Sequence, residues 1–125
     1  MKILVVEDEL SVREILCEFL CLIGHDVLEA CDAFQGLGFA STRGDAIGLV
    51  ISDVDMPRMT GPEMWRIMRN MVPQRNVLFI SGRQPLEPSE EYEALTKPFS
   101  LETLQEKVSA LAAKSSASNL SSASL

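Results

Sequence analysis

No stretch of this 125-residue sequence is basic. Its eleven Lys and Arg residues are scattered among eighteen Asp and Glu, for a formal charge of −7. Neutralising a phosphate backbone takes clustered cations, so nucleic acid is not expected as a direct partner. Long hydrophobic runs are missing at the start of the chain. MKILVVEDE holds only four consecutive apolar residues before two acids, too few for a signal-peptide core or a membrane span. The chain is therefore expected in the cytoplasm, away from the membrane. Cysteine is sparse and odd in number, three in all, which fits reduced thiols better than a disulfide framework. Cys17, Cys21 and His25 follow the four-residue spacing of half a zinc site, but the sequence has no second half, and Gly24 ends the helix before His25. Gly36-Leu37-Gly38 lacks the rest of any phosphate-loop fingerprint and reads as a poor stretch of helix.

What is present suits one globular domain. The length closes a single hydrophobic core, and a chain 46% hydrophobic and 23% charged is not a disordered one. Residues 3–6 (ILVV), 47–51 (IGLVI) and 77–80 (VLFI) are short apolar runs, the pattern of strands buried on both faces of a parallel sheet. Weaker strands are expected at 26–30 and 93–96. Helical patterns lie between them. Ser11 with Glu14 makes a capping-box signature ahead of Val12, Ile15, Leu16, Phe19 and Leu20, and Thr60 with Glu63 repeats it ahead of Met64, Ile67, Met68 and Met71. Trp65 is expected to be partly exposed. Residues 33–42 are read as a helix, and Ser100 caps a last one with Leu101, Leu104, Val108 and Leu111 on its apolar face. Strand and helix in alternation predict an α/β fold, a doubly wound parallel sheet with right-handed crossovers. The domain is expected over 1–113, with 114–125 a flexible Ser/Ala-rich tail.

In such sheets ligands bind beyond the carboxyl ends of the strands. Each strand of interest is followed there by a polar residue: Glu7 and Asp8 after ILVV, Asp53 after GLVIS, Ser81 after VLFI, and Lys97 after EALT. Three carboxylates, a hydroxyl and an ammonium thus converge on one edge. Two like charges about 4 Å apart repel by roughly 4 kcal/mol at an effective dielectric of about 20, so the acids call for a cation. Oxygen donors without imidazole or thiol select a hard ion, and a site leaving room for water and phosphate oxygens suits Mg²⁺. A lysine and a hydroxyl beside such an ion make a phosphoryl-handling arrangement, in which one carboxylate can be the nucleophile.

ILVVEDE, VISDVDMPRMTG, VLFISG and LTKPF, in that order, resemble the receiver domain of bacterial two-component response regulators, the CheY-like family. The resemblance covers residues 1–113. It implies a five-stranded parallel sheet in the order 2-1-3-4-5, and phosphorylation of Asp53 by a histidine kinase or a histidine phosphotransfer protein. Glu7 and Asp8 then hold Mg²⁺ together with Asp53, and Asp55 lends the metal its backbone carbonyl. Ser81 and Lys97 match the hydroxyl and ammonium that meet the phosphoryl group, and Lys97-Pro98 matches a cis bond. LFISGR and KPFSLETLQEKV resemble receivers of hybrid histidine kinases. Beginning at Met1 and ending in a tail, the chain reads as a stand-alone or an excised receiver, monomeric or weakly dimeric.

The departures from the family pattern are specific. Glu7 stands where Asp is commoner, and Ser81 where Thr is. Fifteen residues separate Ser81 from Lys97, fewer than usual, and RQPLEPSEEYE carries two prolines, so the family's fourth helix is expected to be short, displaced or absent. Ala94 stands where many members carry a switching aromatic, and Tyr92 is out of register with it. Two other readings compete. ISDVDMP also resembles the DxD motif of haloacid dehalogenase-type phosphatases, although in that family it lies on the first strand with further acids downstream. An interaction-only pseudo-receiver is the third, against which stand the intact Glu7, Asp8, Asp53 and Lys97.

Overall fold

The apolar runs form five strands: β1 (Lys2–Val6), β2 (Asp26–Ala30), β3 (Leu49–Asp53), β4 (Val77–Ser81) and β5 (Glu93–Thr96). In this computed structural model, residues 1–82, 86, 87 and 89–123 are described, 114–123 by backbone alone. The strands pair in parallel in the order β2-β1-β3-β4-β5. Four helices join or follow them: α1 (Leu10–Leu22), α2 (Ala33–Arg43), α3 (Gly61–Met68) and α4 (Leu101–Ala123), with a 3₁₀ turn at Gly44–Ala46.

Successive strand residues point to opposite faces, which divides the core in two. Ile3, Val5, Leu49, Ile51, Leu78 and Ile80 pack on Leu16 and Leu20 of α1 and on Leu104 and Val108 of α4. Leu4, Val6, Val50, Val77 and Phe79 pack on Ala33 and Ala40 of α2 and on Met64 and Met68 of α3. The doubly wound sheet follows directly from runs that are apolar at every position. The edge strands β2 and β5 are only partly buried, in keeping with their polar mixture.

Several helix details differ from expectation. α1 begins at Leu10 behind an extended Glu9 that makes no side-chain cap bond, so Ser11 lies inside the helix and does not cap it. The turn leaving β1 sets the helix entry, and Arg13 N–H already bonds the Glu9 carbonyl at 2.9 Å. The buried face of α1 is Leu16, Cys17 and Leu20, while Ile15 is 57% exposed. Its C-terminus closes as expected at Gly24, whose φ of +97° suits glycine. The Gly24 and His25 N–H groups return to the Cys21 and Leu20 carbonyls at 3.1 and 3.0 Å, a Schellman closure.

α3 stops at Met68, leaving Met71 outside it. Trp65 is buried at 7% exposure while Ile67 is 46% exposed. The indole is drawn inward because it lines, with Phe79 and Tyr92, the space beside β4. No helix lies among the described residues between β4 and β5. An antiparallel bridge joins Ser89 and Tyr92 there; Tyr92 meets Phe79 edge-on, and its hydroxyl donates to the Glu87 carbonyl. Residues 83–85 and 88 of RQPLEPSEEYE lie outside the described set. At the C-terminus, Ser100 accepts the Thr103 N–H at 3.0 Å, as expected of a cap. The helix backbone then continues through 114, the expected start of the tail, to Ala123. That stretch contains neither Gly nor Pro to stop it.

Candidate functional site

The register aligns the ends of four strands at one edge. Val6 pairs with Ala30 and with Ser52, Asp53 with Ile80, and Ser81 with Thr96. The ladder continues one residue past the strands. Glu7 N–H donates to the Ala30 carbonyl at 3.1 Å, Val54 N–H to the Ile80 carbonyl at 3.0 Å, and Lys97 N–H to the Ser81 carbonyl at 2.7 Å. Glu7, Asp53, Ser81 and Lys97 are therefore placed by main-chain bonds, independently of what their side chains do. The Lys97-Pro98 bond is cis, as the family resemblance implies.

The side chains form one cluster. Carboxylate oxygens of Glu7, Asp8 and Asp53 lie within 4.8 Å of one another. Glu7 is 3% exposed and Asp53 9%, whereas Asp8 faces solvent. The Lys97 ammonium stands 3.7 Å from Glu7 Oε1 and 3.9 Å from Asp53 Oδ1. Ser81, also buried, ends β4 at the same sheet edge. One lysine does not balance three acids. Burial, then the Asp53 charge, push the Glu7 carboxyl up to about 8, with Lys97 opposing. Burial also raises Asp53 above its ordinary value, again against Lys97. The side-chain hydrogen bond between the two acids adds to the rise at Glu7 and works against it at Asp53. An all-oxygen set that is partly buried and short of positive charge fits a hard divalent cation by donor chemistry.

The loop after β3 fixes the far side. Thr60 and Glu63 make the expected capping box, Glu63 N–H to Thr60 Oγ1 at 3.2 Å and Thr60 N–H to Glu63 Oε1 at 3.1 Å. The Glu63 carboxyl is held below its usual range by those bonds. Gly61 donates its N–H to the Val54 carbonyl at 2.9 Å. A Cβ on Gly61 would lie 2.2 Å from the Asp53 carbonyl oxygen, so only glycine lets α3 start against the Asp53 backbone. Asp55 is exposed, and its side chain is not part of the acidic cluster. Arg58, at φ +69°, reaches from this loop to Asp32 at 3.6 Å and lies 5.2 Å over the Phe34 ring.

Two residues at the site had escaped the sequence reading. Gly61 carried a visible signal, a glycine directly after a cap residue. Arg13 carried none beyond its place on α1; its Nη1 donates to the Glu7 carbonyl at 2.8 Å. Cys17 and Cys21 do not join His25 in a metal cluster among the described residues. Cys17 is a buried thiol, pushed up to about 12 by burial and by Glu29, and Cys21 is exposed.

Residues 3–109 match the response regulator receiver domain family. The chain belongs to that family. It is 34% identical over 108 residues to the sensor kinase CckA of Brucella abortus, covering 82% of this chain and 11% of that protein. It is 36% identical over 120 residues to the response regulator MprA of Mycobacterium avium, covering 89% of this chain and 50% of that protein. Among solved structures, the receiver domain from the hybrid histidine kinase CckA superposes with a TM-score of 0.82 at 36% identity, covering 90% of this chain and 99% of that one. A receiver domain from Clostridium thermocellum gives 0.83 at 26% identity, with 90% and 94% covered. The expected likeness to hybrid-kinase receivers is thus met, as is the sheet order. The chain spans half of MprA and a small part of CckA. It is a receiver domain of the two-component type, a signalling domain, which sets aside the dehalogenase-type phosphatase reading. Among the described residues no helix is long and apolar enough to cross a membrane.

Proposed function

We propose that Asp53 is the phosphoacceptor of this receiver, taking the phosphoryl group of a phosphohistidine on a histidine kinase or a histidine phosphotransfer protein. The observation that carries this reading is the setting of the Asp53 carboxylate: nearly buried, 3.9 Å from the Lys97 ammonium, and grouped with Glu7 and Asp8 within 4.8 Å. A carboxylate oxygen attacks phosphorus; the P–O bond forms as the P–N bond breaks, and the departing imidazole keeps the electron pair and takes up a proton. Lys97 pairs with the phosphoryl oxygens, and the Ser81 hydroxyl donates to one of them. Glu7, Asp8 and Asp53, with the main-chain carbonyl of Asp55, would hold Mg²⁺. That ion supplies charge neutralisation on the transferring group. The domain acts as residues 1–113, in the cytoplasm, as a monomer or weak dimer. It either relays the phosphoryl group or changes its affinity for a partner.

The test is incubation with Mg²⁺ and a small phosphodonor, read by intact mass before and after hydroxylamine. The reading expects one phosphoryl group, labile to hydroxylamine and absent from Asp53→Ala. No adduct on the wild type, with or without Mg²⁺, would leave an interaction-only receiver in its place.

A further inference from the structure

Glu7 and Asp8 sit on the turn between β1 and α1, and a turn presents its carboxylates well only if its peptide planes are fixed. The Glu7 N–H is fixed by the Ala30 carbonyl at 3.1 Å, through the β1–β2 ladder. The Glu7 carbonyl, which belongs to the peptide plane joining the two acids, has a different anchor. Arg13 of α1 donates to it from Nη1 at 2.8 Å. The guanidinium is itself held on β2, its Nε 3.6 Å from Glu29 Oε1, with the Arg13 side chain only 15% exposed. One partly buried fork thus ties the turn, the helix and the edge strand together.

Its contacts run to a main-chain carbonyl and to Glu29, not to the side chains of the acidic cluster. Burial, Asp53, Lys97 and Asp8 weigh most on Glu7, and burial, Lys97, Glu7, Asp8 and the Val54 amide on Asp53. Arg13 acts on the backbone. A guanidinium can hold a carbonyl with one N–H and a carboxylate with another because its donors are rigidly splayed; an ammonium at the end of a flexible stem holds neither as firmly. We infer that Arg13 is a positioning residue for the cation site, holding the peptide plane between Glu7 and Asp8, with Glu29 as its anchor. This rests on the proposed metal-binding role of the acidic cluster.

The sign of the effect separates positioning from charge. Deleting a nearby positive charge by itself favours cation binding. Loosening the peptide that carries two ligands opposes it, and loss of an outer partner of a metal ligand typically costs about 10-fold to 100-fold in affinity. Mg²⁺ titrated calorimetrically into the full chain is expected to bind Arg13→Met about tenfold more weakly than wild type, with Arg13→Lys between the two. The Mg²⁺ concentration for half-maximal phosphorylation should rise in step, while the rate at saturating Mg²⁺ stays near that of wild type. Glu29→Gln, on a half-exposed side chain, should shift the affinity the same way by less; loss of its negative charge acts in that direction too, so the sign is decided by Arg13→Met. Equal or tighter Mg²⁺ binding in Arg13→Met overturns the assignment. A wild type that binds no Mg²⁺ overturns the cation site itself, and the two failures are told apart by that control.

Discussion

Glu7 and Asp53 bring carboxylate oxygens to within 4.8 Å of each other across the β1–β3 pair, and burial with the Asp53 charge pushes the Glu7 carboxyl up to about 8. A carboxyl whose pKa is higher folded than unfolded stabilises the fold fully below the unfolded value, and that contribution is lost as pH rises through the folded value. For Glu7 the two limits are 4.5 and about 8. Metal-free protein should therefore lose stability from this group as pH climbs between them, and added Mg²⁺ should restore it at the upper limit. Thermal melts in chelator across that range, on wild type and Glu7→Gln, check this. The variant should show a flatter pH slope, and identical slopes would count against the raised Glu7 carboxyl.

Lys97 is the only cation placed against both buried acids among the described residues. Lys97→Met should leave Asp53 able to accept a phosphoryl group but slow its uptake by about a hundredfold, the scale of losing one preorganised charge partner of a transferring group. The measurement is the initial rate of phosphorylation at saturating Mg²⁺. A rate within a few-fold of wild type would remove Lys97 from the chemistry.

Gly61→Ala tests how tightly α3 backs onto the phosphoacceptor. The added methyl would meet the Asp53 carbonyl oxygen at 2.2 Å, so the helix must retreat, at a cost of about 1–3 kcal/mol or more. Denaturant unfolding should show that loss. Slower phosphorylation at full folding should accompany it, because the Asp53 backbone moves with the helix.

The two capping signatures should behave differently. Thr60→Ala removes an observed capping box and should cost about 1 kcal/mol. Ser11→Ala removes nothing that α1 uses as a cap and should fall within about 0.5 kcal/mol of wild type. Equal losses at both positions would contradict the observed helix starts.

That contrast also shows what the sequence could and could not disclose. Glu7, Asp8, Asp53 and Ser81 were legible because they end or follow apolar runs buried on both faces, and Lys97 because it follows the weaker edge strand β5 at the same sheet edge. The residue after each apolar run emerges at the sheet edge, where the side chains of Glu7, Asp8, Asp53 and Lys97 come together and Ser81 ends the neighbouring strand. Asp55, expected to offer only its backbone carbonyl, has an exposed side chain outside that cluster. Ser11 misled because the S-x-x-E spacing is local, whereas the start of α1 is set by the turn that carries the acids. Trp65 was placed too far out because its burial depends on Phe79 and Tyr92, residues distant in sequence. The Arg13 bond to the Glu7 carbonyl was invisible for a simpler reason: a main-chain acceptor leaves no mark on residue type.

The account turns on which of the two aspartates in VISDVDMP carries the phosphoryl group, and site-resolved phosphorylation of three proteins side by side decides it. With Mg²⁺ and the same phosphodonor, wild type and Asp55→Ala should each take one hydroxylamine-labile phosphoryl group on Asp53, and Asp53→Ala should take none. Phosphorylation retained in Asp53→Ala and lost in Asp55→Ala would contradict it.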